Sequence, residues 1–234
     1  MKIDFAGVDA VDLSELRGHV EWQAKHKGFF CLEAGKEHYK LLAWLSHNVD
    51  GERTLYDMGT LYGFSALALS ANPKHVVVTC DLQDLVPSDL REATYKARPN
   101  ITFAKKSCTD ADVLDAAAKS AVVVLDVDPH DGVTETQVVS MLEKRNFKGL
   151  LVCDDIKLNH SMQYFWNRVK QPKWDVTHLG HWSGTGLVCF DPDKATSIVV
   201  ESPSQLLSSG DIQIPQDFIA SSTSFDGYSY VAAS

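Results

Sequence analysis

"LYDMGTLYGFSALALS", residues 55–70, changes its grammar twice. An apolar run ends at Asp57, a loop carries Gly59 and Gly63, and Ser65 opens a helix. Strand, glycine turn and helix in that order begin a βα unit, and the glycines permit a tight turn and close backbone approach to a ligand. The following sequence repeats the pattern. "HVVVTCD" precedes "SDLREATYKA", "ITFAKK" precedes "DADVLDAAAK", "AVVVLDVD" precedes "TETQVVSMLEK", and "GLLVCDD" precedes "SMQYFWNRVK". Strands apolar along their whole length, separated by helices, indicate a parallel sheet covered on both faces. The last two, "KWDVTHLG" and "GTGLVCF", are joined by "HWSG", too short for a crossover helix, and are expected to form an antiparallel edge hairpin. The expectation is an α/β, doubly wound, mostly parallel sheet with a terminal hairpin.

Around this unit the reading gives three regions. Residues 1–50 form an N-terminal helical extension, with 13–47 read as helical. Residues 51–200 form the ligand-binding domain, and 201–234 a Ser-rich C-terminal tail that is disordered in part or laid over the domain or a partner. Trp166 and Phe165 share helical spacing with Val169 and read as core.

A net charge of -9 repels phosphate backbones and anionic lipid, and the densest basic stretch, "KARPNITFAKK", is broken by apolar residues. Nucleic acid and membrane are therefore not expected partners; a cationic ligand or a divalent metal suits the balance, and a homo-oligomer is compatible with it. Five scattered cysteines without a CxxC argue for a reducing compartment. The acidic N-terminus lacks a signal peptide's apolar stretch, so the chain is expected to be cytoplasmic and its sequons at Asn100 and Asn159 accidental.

In an open α/β sheet, ligands sit beyond the carboxyl ends of the strands. Leu61 and Tyr62 fill the space a pyrophosphate needs in a dinucleotide loop, whereas an adenosine without phosphate fits. Asp81 ends the next strand 24 residues after Asp57, near the spacing at which an acid meets a ribose diol. Ser107 or Cys108, after the third strand, falls near the adenine, and Asp110 reads equally as a helix cap.

"LDVDPHDG" (125–132) and "LLVCDDIKLN" (150–159) end neighbouring strands in carboxylates. Asp126, Asp154 and Asp155 repel one another unless protonated or bridged by a cation, and an all-oxygen set suits a hard ion such as Mg²⁺. The bland alternative is that Asp154 and Asp155 cap a helix. His178 and His181 are not expected to pair on a metal, because a strand turns positions three apart to opposite faces; His181 and Trp182 are expected to line an acceptor pocket.

The series Asp-x-Gly-x-x-x-Gly-x-Ser from Asp57, the acid at Asp81 and the Asp-x-Asp of Asp126 and Asp128 resembles the class I S-adenosylmethionine-dependent methyltransferases, over roughly residues 30–192. More narrowly it is similar to the small metal-dependent O-methyltransferases. The resemblance implies a seven-stranded Rossmann-like sheet and a donor site at Asp57, Gly59, Leu61, Gly63, Ser65, Asp81, Ser107, Cys108 and Asp126. Catechol-type and caffeoyl-coenzyme A-type enzymes follow the second metal aspartate with Asn, and the catechol-type enzymes also place a Lys base three residues after the first. Here those positions hold Asp155 and Pro129. The macrolide- and aminocoumarin-sugar enzymes carry Asp-x-Asp and then Asp-Asp, as this chain does. The resemblance therefore implies metal at Asp126, Asp154 and Asp155, Asp128 as general base with His130 as its rival, and methyl transfer to a sugar hydroxyl of a small molecule or glycan. A catechol or phenolic acceptor is the alternative within the class. Outside it stand a nicotinamide-dependent oxidoreductase, disfavoured by the bulky loop, and a non-catalytic nucleotide-fold module.

Overall fold

A computed structural model describes residues 1–17, 28–86 and 88–202 of the chain. Its elements are β1 (Lys2–Ile3), α1 (Phe5–Asp9), α2 (Ser14–Arg17), a 3-10 turn (Gly28–Cys31) and α3 (Tyr39–Asn48). The alternating series follows: β2 (Thr54–Met58), α4 (Phe64–Leu69), β3 (Val76–Asp81), α5 (Ser88–Ala97), β4 (Ile101–Lys105), α6 (Ala111–Ala117), β5 (Val122–Leu125), α7 (Val133–Lys144), β6 (Leu150–Cys153) and α8 (His160–Arg168). It closes with β7 (Lys173–Asp175), β8 (Gly186–Cys189), α9 (Pro192–Ala195) and β9 (Val199–Val200).

Seven strands form one sheet in the order β4-β3-β2-β5-β6-β8-β7. β4 through β6 pair in parallel, and β8 runs antiparallel to both β6 and β7. This is the expected Rossmann-like methyltransferase fold with its terminal hairpin. Alternation along β5 explains why the strand is apolar throughout. Val122 and Val124 face the core packed by α3 and α4, while Val123 and Leu125 face the core packed by α6, α7 and α8. Phe165 and Val169 are buried in the second core and Trp166 packs against it, as expected.

Two readings need correction. Residues 13–47 are not continuously helical: among the described residues, the chain turns between Cys31 and Tyr39. Gly35 is the cause. Its φ is +87°, and a Cβ there would stand 2.6 Å from the His178 carbonyl oxygen, so the segment is pressed onto the turn that follows β7 instead of coiling. Second, β7 stops at Asp175. The chain then turns, with Leu179 and Gly180 N–H donating to the Val176 carbonyl at 2.8 and 2.9 Å, so the strand argument separating His178 from His181 does not apply. A short helix the sequence did not announce, α1, is capped by Asp4, whose carboxylate accepts from Gly7 N–H at 2.8 Å. The part of the helical reading over 18–27 and the Ser-rich tail from 203 lie outside the described residues.

The side chains at both sequons are engaged. Asn159 caps α8 and donates to the His130 carbonyl at 2.9 Å, and Asn100 donates to the His75 carbonyl at 2.9 Å. Among the described residues, no helix is long and apolar enough to cross a membrane.

Candidate functional site

The winding direction reverses between β2 and β5, so the crevice beyond their carboxyl ends is where this topology places a ligand. Asp57, in β2, is fully buried. Thr79 on β3 donates to its Oδ2 at 2.6 Å and stands 2.6 Å from the Thr60 hydroxyl, while Asp57 Oδ1 has no partner. Burial, countered in part by the Thr79 hydrogen bond, pushes its carboxyl up to about 7.

Two residues on, Gly59 leaves less room for a Cβ than any other described glycine. A Cβ on Gly59 would lie 1.5 Å from the Asp126 carbonyl oxygen, and its φ is +110°. Only glycine fits, and the glycine loop thereby rests on the tip of β5. Beyond it Leu61 adopts φ +42°, half exposed, and donates its N–H to Asp81 at 3.0 Å. Gln83 N–H donates to the other Asp81 oxygen at 3.0 Å. Gly63 closes the loop with a 2.6 Å bond to the Thr60 carbonyl. On β4's side, Ser107 and Cys108 form a turn in which Ser107 N–H donates to Asp110 at 3.1 Å. Asp110 stands at the N-cap of α6 without capping it.

Asp126, Asp154 and Asp155 stand among histidines, and among the described residues each grouping of donors within ligand-sharing distance holds at most two of the three. His38 Nδ1 lies 3.4 Å from Asp154 Oδ1, and His181 Nδ1 lies 3.3 Å from Asp154 Oδ2 and 3.6 Å from Asp155 Oδ1. Glu37 approaches His181 Nε2 at 3.5 Å. His130 Nε2 stands 3.5 Å from Asp155, 3.6 Å from Asp128 and 4.0 Å from Asp126. Ser65, at the start of α4, faces His38 Nε2 at 3.4 Å. Each grouping of donors within ligand-sharing distance among the described residues includes a histidine, so the set offered to an ion is mixed rather than all-oxygen. Asp128 remains mostly exposed at the rim, reaching the cluster through His130. Trp182 is half exposed beside His181, whereas His178 turns away to the Glu201 carbonyl at 2.8 Å.

Charge explains how such a cluster is held. Burial works against ionised Asp154, yet the imidazoles of His38 and His181 overcome it and hold the carboxyl well below its usual range. Burial likewise lowers both imidazoles, but the Asp154 charge wins, pushing His38 up to about 9 and His181 up to about 10. Burial and then the Asp154 charge raise Asp126 to about 8. Burial first also raises Glu37 and Asp155. The carboxylates outnumber the imidazoles, and the excess takes up protons or a cation.

Leu61, His130 and Asp155 all carry positive φ without being glycine. Such conformations cost about 1 kcal/mol or more each and persist where the surroundings over-determine them. The Asp155 turn is fixed by Ile156 and Lys157 N–H donating to the Gly184 and Ser183 carbonyls, both at 3.0 Å. Ser183 also donates to Asp155 and stands 2.8 Å from His181 Nδ1. Glu37, His38 and Ser183 were missed in the sequence. They come from a turn and a hairpin connection, where no periodicity marks the inward face.

Neither a family model nor a curated protein matches the chain. Solved structures do. The S-adenosylhomocysteine-bound methyltransferase PaMTH1 of Podospora anserina superposes with a TM-score of 0.55 at 14% identity, over 75% of this chain and 88% of that one. Cofactor-bound Rv0187 from MTB gives 0.50 at 19% identity, over 65% and 79%. A proposed caffeoyl-CoA O-methyltransferase of Staphylococcus aureus gives 0.50 at 13%, over 64% and 81%. The shared property is the fold.

Proposed function

We propose that this chain is an S-adenosylmethionine-dependent O-methyltransferase that uses a divalent ion and acts on a hydroxyl of a sugar. The observation that carries the reading is Asp57 Oδ1, buried without a partner under a glycine loop that touches the acidic cluster. A buried carboxylate left half satisfied is costly unless a cationic ligand group completes it. Asp81, tied to Leu61 and Gln83, keeps lone pairs for a ribose diol, and the turn at Ser107 and Cys108, beyond β4, would meet the adenine.

The donor, when bound, supplies a sulfonium methyl. A divalent ion at Asp126, Asp154 and Asp155, when bound, lowers the pKa of the acceptor hydroxyl. Asp128 at the rim takes the hydroxyl proton, and His130, between Asp128 and Asp155, orients that carboxylate. The acceptor oxygen forms its bond to the methyl carbon as the carbon–sulfur bond breaks, leaving a neutral thioether. The Trp182 ring, half exposed beside His181, offers a flat apolar face, which suits a sugar's C–H face. Pro129 in place of a lysine base, and the Asp154–Asp155 pair, favour a sugar over a catechol.

Thermal melts with S-adenosylhomocysteine, NADH and divalent ion in turn test the reading. Stabilisation by S-adenosylhomocysteine supports it, and a response to NADH alone overturns it. A screen of sugar and phenolic acceptors for the mass of one added methyl then tests the acceptor class. Asp128→Asn is expected to abolish turnover while sparing donor binding; loss in His130→Gln with Asp128→Asn active would move the base role to His130.

A further inference from the structure

The cluster has two unequal halves around Asp154. On one side, Asp155 and His181 are already joined by the Ser183 hydroxyl, which donates to Asp155 and stands 2.8 Å from His181 Nδ1. On the other, His38 Nδ1 and Asp154 Oδ1 have no hydrogen-bond partner, although each residue is only 4% exposed. They face each other at 3.4 Å without hydrogen-bonding geometry, and Asp126 offers a third donor within 4.8 Å of both. Two buried polar atoms 3.4 Å apart, each left without a hydrogen bond, mark a missing ligand. Their separation is that of two donors around one tetrahedral ion: bonds of about 2.0–2.1 Å place neighbouring donors about 3.3 Å apart.

The other ring nitrogen supports the same assignment. His38 Nε2 faces the Ser65 hydroxyl at 3.4 Å, the kind of outer partner that fixes a ligating histidine's orientation. The residue comes from the N-terminal region, seated at Gly35 against the turn that follows β7.

We infer that His38 Nδ1 joins the Asp126 and Asp154 carboxylates as a protein ligand of one divalent ion, and that this imidazole tilts the site towards a first-row transition ion such as Mn²⁺, Co²⁺ or Zn²⁺ over Mg²⁺. Imidazole binds those ions well, whereas Mg²⁺ prefers oxygen alone. The inference rests on the proposed function only for the reaction the ion serves.

Chelator-stripped full chain is titrated with Co²⁺ and followed by visible absorption, with Mg²⁺ as competitor. Mn²⁺-loaded protein is examined by pulsed EPR for nitrogen coupling, and S-adenosylhomocysteine binding is measured by calorimetry on the same preparations. Expected are cobalt ligand-field bands that excess Mg²⁺ does not remove, a ¹⁴N imidazole coupling, and at least about ten-fold weaker Co²⁺ binding in His38→Gln. Equal displacement by Mg²⁺, no nitrogen coupling in the wild-type protein, or unchanged Co²⁺ affinity in His38→Gln overturns the inference. The wild-type spectrum needs no variant to fold. S-adenosylhomocysteine binding without nitrogen coupling sinks the ligand assignment alone; nitrogen coupling without S-adenosylhomocysteine binding sinks the methyltransferase reading alone.

Discussion

Asp57 concentrates the conflict between folding and binding in one side chain. Its carboxyl is raised from 3.8 to about 7, chiefly by burial, so the ligand-free folded state holds a proton that the unfolded chain gives up near pH 4. The sign follows: between about pH 4 and 7 the folded state binds more protons than the unfolded one, and Asp57's contribution to stability falls as pH rises. Asp57→Asn removes that penalty. Its stability gain over wild type, read from urea melts across pH, is expected to be absent near pH 4 and to reach a few kcal/mol above pH 7. The same variant loses S-adenosylhomocysteine affinity. Gly59→Ala fails for a different reason, because its Cβ meets the Asp126 carbonyl oxygen at 1.5 Å. At least about 2–3 kcal/mol of lost stability is expected on thermal melting, together with lost donor binding.

Elements divide sharply in how they use their residues. β5 is buried along its length, and Leu125, 1% exposed, packs into the core beneath α6, α7 and α8. Leu125→Ala should cost about 2–5 kcal/mol in chemical denaturation, whereas Val133→Ala, at an exposed position opening α7, should change stability by less than about 0.5 kcal/mol. The same burial made the strands legible beforehand: runs such as "VVVL" are apolar because both faces are covered, and their acidic ends stand out against them. Asp57, Asp81, Asp126, Asp154 and Asp155 were readable for that reason. Glu37, His38 and the inward turn of His181 were not. They sit where the chain bends, and what aims them is distant: the His178 carbonyl under Gly35, and the Gly184 and Ser183 carbonyls beside Asp155. No spacing within a single segment records such contacts.

At the scale of the molecule, the N-terminus is stapled to the last described strand. β1 pairs in parallel with β9, Val199 and Glu201 N–H donate to the Met1 and Ile3 carbonyls at 2.9 Å, and the fully buried Ile3 anchors the pair. Deleting residues 1–4 is expected to lower stability by at least about 2 kcal/mol, since a buried isoleucine and several ladder bonds go together. Thermal melts of the shortened chain, with S-adenosylhomocysteine binding as the check on folding, measure this.

The contact between Gly59 and the Asp126 carbonyl has a thermodynamic corollary. Donor loop and acidic tip lean on one another through backbone atoms, so neither can shift without moving the other. Ordering either one prepays part of what ordering the other would cost. Saturating divalent ion should tighten S-adenosylhomocysteine about five-fold or more, and saturating S-adenosylhomocysteine must tighten the ion by the same factor, a reciprocity that two titrations in opposite order will read.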